Sequence, residues 1–514
     1  MTGPVDSPLQ AKMGSAARGV VASLRESLVD LRPRTVEARV GRVTAVADGV
    51  VRIVGLQRPF VGELLDVGGV PGIAEELAAH ETRAVLLGPD TTVRAGATVR
   101  RRGHPVEVGV GPQLLGRVVD PLGRPLDGGA SEPFRRRARA HQSPARLIDR
   151  EPVTRPLRTG IFALDTMIPI GRGQRQIIVG DRGTGKADLA IEILAAMDPE
   201  LIGIYVAIGG RGTEIAARIV RLREAGFFDR GFCVVTDADD PPGLVHLTPY
   251  AACTMAESLS ATGHDVVVVF DDLTTHADVH RTLALLLERP VGREAHPVDV
   301  FYAHARLLER ATQLCDAQGG GSITALPLVE TEGGDLSAYI PTNMVSITDG
   351  QVRLDATLMA AGQSPAVDVA LSVSRVGGKA QPALVRALAG HFKNEFSQFL
   401  ELETFARFGT RLEPSAQRVV DWGRRVRRLL QQGRNVTRSW SDTVARMLIA
   451  GAPGLLRLPE DDEDTLERCS AEIIADPAFH NDAIDAGTCP ITALPALREI
   501  AGRVVARAVQ QESP

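Results

Sequence analysis

Gly180-Asp-Arg-Gly-Thr-Gly-Lys186 follows the apolar run Ile177 to Val179 and precedes Ala187, Ala190, Ile191, Leu194 and Met197, which share one face at helical spacing. Strand, glycine loop and helix in that order form a phosphate-binding loop. Gly180, Asp181, Arg182, Gly183, Thr184 and Gly185 supply backbone N–H groups that close around phosphate oxygens, and Lys186 adds a mobile cation for the outer phosphates. Taken alone, such a loop is also a tight strand-to-helix turn, and the flanking strand and helix are what favour the nucleotide reading. One position departs from the pattern. A Ser or Thr normally follows the lysine and offers its hydroxyl to Mg²⁺, whereas Ala187 stands there in this sequence.

Downstream, Asp265-Val-Val-Val-Val-Phe-Asp271-Asp272 reads as a buried strand that delivers a carboxylate to its C-terminal end, where ligands of an open α/β sheet collect. Asp271 is therefore the carboxylate expected on the magnesium side. A valine run ending in aspartates also describes a strand running into a helix cap, so its weight comes from the glycine loop before it.

The surrounding sequence alternates β-branched runs (Ile202 to Ile208, Cys233 to Thr236, Ile323 to Leu328) with segments of helical period. That alternation predicts a parallel sheet covered on both faces. Upstream, Val36, Ala38 and Val40 alternate with Glu37, Arg39 and Gly41, and short apolar runs recur between Gly and Pro turns, as in a small β-barrel. Before it, Val20, Val21, Leu24, Leu28 and Leu31 follow a helical period in a loose N-terminal arm. Beyond Gly377 the β-branched runs give way to helix formers with apolar stripes, as in Ala416 to Gln432 and Trp440 to Ala450. The expected organisation is an arm and helix at 1–34, a β-barrel at 35–103, a RecA-like α/β nucleotide-binding domain at 104–385 and a C-terminal helical bundle at 386–514.

Composition narrows the function classes. The protein has 514 residues, a net charge of −5 and 24% charged residues, which gives no global reason to expect nucleic acid as a partner. The basic run at Arg135, Arg136, Arg137 and Arg139 lies among Pro and Gly without interleaved aromatics and reads as a solvated linker. The acidic run Glu460 to Asp464 reads as a solvated face. Five cysteines without C-x-x-C spacing argue against a disulfide framework or zinc site. No apolar run approaches the roughly 20 residues a membrane helix needs, and the first residues have neither a secretory nor a transit-peptide pattern.

From about residue 36 to 430, a series of segments in order resembles the α subunit of rotary F-type ATP synthases. They are Leu157 to Gly160, Pro169 to Arg175, the phosphate loop, Tyr205 to Gly209, Asp271 to Leu273, Pro290 to Glu294, Asp299 to Tyr302, Glu330 to Gly350 and Ser372-Val-Ser-Arg375-Val-Gly-Gly378. In that family the β subunit carries a catalytic glutamate in a Gly-Glu-Arg sequence, which α replaces with glutamine. Here Gly209-Gly210-Arg211 stands at that place, so the resemblance implies a catalytically silent subunit. Glu214 is a conceivable substitute base, but it reads more simply as a solvated helix-start residue. The resemblance makes Arg375 an arginine finger donated to a neighbouring β subunit.

It further implies an ATP or ADP site of this subunit's own, with Pro365 and Gln432 near the adenine and magnesium binding in question at Ala187. Ser337, Tyr339, Pro341 and Thr342 would lie near the α/β boundary, while Ser364 stands where the family commonly has arginine. Implied partners are β-type subunits in an alternating hexamer, a central stalk facing Leu384 to Leu402, and a peripheral stalk met by the N-terminal arm. The implied place is the cytoplasmic side of a membrane, within a peripheral complex. Two rival readings are a catalytic hexameric NTPase of the secretion or transcription-termination type, and an α-like structural paralogue that no longer binds nucleotide.

Overall fold

A computed structural model of the protein describes residues 40–130, 133–407, 413–434, 436–452, 455–457 and 463–512. The expected N-terminal arm and helix lie outside the described residues.

Six strands form a closed antiparallel barrel: β1 Val40–Ala47, β2 Val50–Val54, β3 Glu63–Val67, β4 Val70–Leu77, β5 Glu81–Leu86 and β6 Thr98–Pro105, in the order β1-β2-β5-β4-β3-β6. Alternation decides the inside: Val43, Val51, Ile53, Leu65, Val67, Ala84 and Leu86 point inward and are buried. One polar group is held in the wall. Glu63 is fully buried and bonded by Arg101 Nε at 2.9 Å, so its charge is not left unpaired.

The central sheet runs in the order Gly350–Leu354, Gln176–Asp181, Ser322–Thr331, Asp265–Asp271, Ile202–Gly210, Gly231–Asp237 and Val118–Val119, all parallel, with Val373–Ser374 added antiparallel beyond Gly350–Leu354. Its strands alternate between two cores. Ile178, Tyr205, Val267, Val269 and Leu328 face one core, which continues without a break into the C-terminal helices. Ile177, Val206, Val268, Phe270 and Val329 face the other, beneath the helices Pro242–Ser260 and Leu273–Leu286. Both faces are covered, which is why these strands read as continuous apolar runs.

Barrel and sheet domain meet through Arg52 and Arg83, both paired with Glu288, and through Val50 and Val85 packed on Leu283 and Leu287. The C-terminal region is helical, with Ala383–Arg407, Pro414–Leu429, Trp440–Ala450, Glu463–Ala475 and Leu494–Glu512 as its longer helices. Leu384, Val385, Leu388, Phe392, Phe396 and Phe399 form the buried stripe of the first. The acidic run enters this region at Glu463 and Asp464, which open a helix.

One expectation is corrected. The basic run is no linker: Arg136–Arg139 is a strand paired antiparallel with Glu107–Val110, in the register Val108 to Ala138. Ala138 packs against the core while the arginines extend outward. Alternating arginines beside a single apolar position hid this two-residue period.

Candidate nucleotide site and arginine loop

The phosphate loop leaves the strand Gln176–Asp181 and enters the helix Lys186–Ala196. Gly183 and Gly185 adopt φ of 81° and 87°, a left-handed backbone that other residues reach only with strain. Asp181 anchors the loop from behind, accepting hydrogen bonds from Thr331 Oγ1 at 2.6 Å and Gly334 N at 2.8 Å. Thr184 Oγ1 donates to Asp181 O. Lys186 Nζ donates to the carbonyls of Gly180 and Asp181 at 2.9 Å and lies 3.6 Å from Glu330. Burial pushes the Lys186 ammonium below its ordinary pKa, against the pull of Glu330.

Gly183, Gly185, Lys186 and Glu330 line a cleft of about 590 Å³ that also takes in Arg182, Gly210, Glu214, Arg218 and Asp271. Asp271 ends its strand on the same face as Val267 and Val269, two residues beyond Val269, which is in register with Tyr205. The Tyr205 hydroxyl therefore reaches the Asp271 carboxylate, and Arg218 Nη1 donates to the same oxygen at 2.7 Å. Burial raises the Asp271 pKa, while Arg218 and the tyrosine hydrogen bond oppose that rise. Asp272 turns the other way and caps the helix Leu273–Leu286 by accepting from Thr275 N at 2.6 Å.

An adjoining groove of about 230 Å³ leads from Thr184 and Gly185 to Ser364, Pro365 and Arg434. Pro365 thus lies beside the phosphate loop. The Gln432 side chain does not line that groove: its amide accepts from Phe162 N at 3.0 Å and donates to Gly160 O at 2.7 Å and to Val436 O. It pins the C-terminal helices to the segment that opens the helix Phe162–Met167, while its backbone N–H reaches Ser364 O at 2.7 Å.

The chemistry of the cleft has three gaps. Ala187 turns a methyl toward the core where a hydroxyl would meet a metal. Gly210 has no side chain, and a Cβ there would stand 3.3 Å from Ile215. Glu214 is tied to its own helix neighbours, 3.7 Å from Arg211 and 3.5 Å from Arg218. Mg²⁺ requires oxygen ligands in near-octahedral order. With no hydroxyl at position 187 and Asp271 shared between a guanidinium and a phenol, the residues present do not fit that ion.

Arg375 stands elsewhere. It follows the edge strand Val373–Ser374, is exposed, and is not part of the cleft lining. Its backbone N–H bonds Asp349 O at 2.9 Å, and its guanidinium donates to Thr348 O at 3.2 Å. Ser374 Oγ donates to Pro169 O at 2.5 Å, and Arg175 holds Asp349 through Nε at 3.0 Å and Nη2 at 2.9 Å. Leu371 and Val373 beside it are exposed apolar residues.

Of the residues expected from sequence, the phosphate loop and Asp271 meet at one cleft, and Pro365 borders the groove adjoining it. Arg218, Tyr205 and Glu330 were not among those expected. Arg218 carried a signal, since Glu214 and Arg218 are four apart on a helix that opens just after the strand Ile202–Gly210. Glu330 ends the strand lying between those of the phosphate loop and Asp271, an order that local sequence does not reveal.

Comparison with known proteins fits this geometry. Residues 160–374 match the nucleotide-binding domain of the ATP synthase alpha/beta family, and residues 381–476 match the C-terminal domain of the ATP synthase alpha/beta chains. This protein belongs to that family. It is 47% identical over 450 residues to ATP synthase subunit alpha 2 of Polaromonas naphthalenivorans, covering 87% of its own length and 86% of that relative. It is 48% identical over 419 residues to ATP synthase subunit alpha 2 of Syntrophotalea carbinolica, covering 81% and 80%. ATP synthase subunit alpha 1 of Marinomonas sp. is 45% identical over 435 residues, covering 84% and 85%. The match to the family's nucleotide-binding domain agrees with the loop and cleft described above. Among the described residues no helix is long and apolar enough to cross a membrane.

Proposed function

We propose that this protein is the non-catalytic α subunit of an F-type ATP synthase head, alternating with β subunits and donating Arg375 to the adjacent β active site. The carrying observation is the separation of two functions within one sheet. The subunit's own cleft lacks a base at Gly210, whereas an exposed arginine at the sheet edge, outside that cleft, is held by Asp349 and flanked by apolar surface.

In the neighbour's site the guanidinium of Arg375 would answer negative charge building on the transferring phosphoryl group. Such a finger is worth about a thousand-fold in rate, or about 4 kcal/mol of transition-state stabilisation. The subunit's own cleft would hold ATP or ADP without turning it over, with phosphates on the loop and Lys186 and the base beside Pro365. The helix Ala383–Arg407 would face a central stalk, the N-terminal arm would meet a peripheral stalk, and the assembly would lie on the cytoplasmic side of a membrane.

The test is reconstitution of the full-length protein with its β-type partner. Arg375→Ala should lower ATP turnover about a thousand-fold while the hexamer still assembles. Turnover within about tenfold of the parent would refute the role given to Arg375.

A further inference from the structure

Asp271 is the carboxylate from which a phosphate-loop protein would hold Mg²⁺, yet here it already has a cation. Arg218 Nη1 donates to Asp271 Oδ2 at 2.7 Å, and Tyr205 donates to the same oxygen. Arg218 lies on the helix Gly212–Glu224, and its side chain lines the cleft together with Lys186 and Gly183. Its second amino group reaches Glu214 only at 3.5 Å, beyond a good hydrogen bond. A guanidinium has five N–H donors in a planar fork matched to phosphate oxygens, so Arg218 keeps donors free to meet a ligand. Ala187, on the other side, has no oxygen to give a metal.

We infer that this cleft binds nucleotide polyphosphate without a divalent metal, Arg218 and Lys186 together neutralising the outer phosphates in place of Mg²⁺. The inference rests on the nucleotide-binding reading above and specifies its chemistry. A fixed arginine bound to a buried carboxylate does two jobs of the metal: it supplies positive charge beside the phosphates and compensates Asp271. It cannot exchange with solvent, so binding gains nothing from added Mg²⁺. Lys186, Arg218 and Asp271 line the same cleft, so both cations are open to one bound polyphosphate.

The experiment measures ATP binding to the purified full-length protein by equilibrium dialysis, in excess Mg²⁺ and in EDTA. The unaltered protein should bind at least as tightly in EDTA as in excess Mg²⁺, where chelation of the nucleotide by the metal competes with the site. Arg218→Gln should weaken binding in EDTA by about tenfold or more, the loss expected of a charged hydrogen-bonding group. Adding Mg²⁺ should then recover part of that loss, because Asp271 is released. Arg218→Lys, which keeps the charge, should, like the parent, gain nothing from Mg²⁺ and show a smaller loss in EDTA.

The inference is overturned if Mg²⁺ tightens binding to the unaltered protein about tenfold or more, or if folded Arg218→Gln binds in EDTA as well as the parent. Should Arg218→Gln fail to fold, the Mg²⁺ and EDTA comparison on the unaltered protein decides. A folded protein that binds no ATP under either condition would remove the nucleotide-binding reading itself, and this inference with it.

Discussion

In the cleft at the middle of the sheet, charged side chains lean on one another: Lys186 toward Glu330, Arg218 across to Asp271, Glu214 back to Arg218. At the sheet edge most contacts end on backbone carbonyls. Arg375 N bonds Asp349 O, Ser374 bonds Pro169 O, and Gly377 lies so close to Pro169 that a Cβ would come within 1.7 Å of its carbonyl oxygen. Side-chain networks can be rewired by single substitutions, whereas a loop set by backbone contacts has one position. Arg375 therefore sits in a loop of fixed geometry, whereas the cleft has an adjustable one.

The sharpest way to break the comparison is at Arg375 itself. Arg375→Lys keeps the charge but loses the planar fork. Turnover of the reconstituted complex should fall about a hundred-fold, between the parent and the alanine variant. A lysine variant as active as the parent would mean that charge alone suffices and that the loop's backbone precision is incidental.

Gly377→Ala comes next, leaving Arg375 in place and moving its support. The added methyl must push the loop away from Pro169, and a displacement on the order of 1 Å can cost a well-oriented group tenfold or more. The expected result is at least about a tenfold loss of turnover with assembly retained. The matching change in the cleft, Gly183→Ala, meets no neighbouring atom and strains only the backbone. Its effect on turnover should be the smaller of the two, and the reverse order would sink the contrast.

Acid gives a third handle. His246 stacks on His276 and His280 with ring centroids 4.8 and 5.1 Å apart, and His276 Nδ1 lies 3.2 Å from His304 Nε2. Burial holds His246 and His276 well below the usual histidine range and His304 at about 3. Their folded pKa values lie below the unfolded value of about 6.5, so the stability they confer is complete above that pH and is lost as pH falls toward the folded values. From about pH 6.5 to about 5.5 each should cost about 1 kcal/mol. The cluster lies under the helix Leu273–Leu286, whose cap Asp272 borders the cleft. Hydrogen exchange should therefore show that helix losing protection before the strand Gly350–Leu354 beside Arg375. Simultaneous opening would mean that cleft and edge share one cooperative unit.

Much of this plan was legible from residues. The phosphate loop located the central strand, the alternating β-branched runs located the strands on either side, and helical spacing located Trp440–Ala450 as observed. Arg375 was legible only through its neighbours in a family pattern, since an arginine in a loop has no intrinsic signature. What escaped was set by strand order. Glu330 meets Lys186, and Tyr205 meets Asp271, because distant strands lie side by side in register. The Gln432 side chain bonds Phe162 N and Gly160 O, contacts that local sequence does not announce. A buried amide with backbone groups close by takes them, since an unsatisfied donor or acceptor costs about 1–3 kcal/mol.

The smallest effect is expected at Lys186, where the comparison can be sharpened most cheaply. Lys186→Gln removes a cation from the cleft but leaves the edge loop, the barrel contacts and Arg375 untouched. If the cleft serves only a held nucleotide, steady turnover in the complex should change by less than about threefold even as ATP binding to this subunit weakens. Measuring both on one preparation separates the two regions directly. A loss of turnover as large as that of Arg375→Ala, with assembly intact, would show that the cleft takes part in the chemistry and that Gly210 and Ala187 do not silence it.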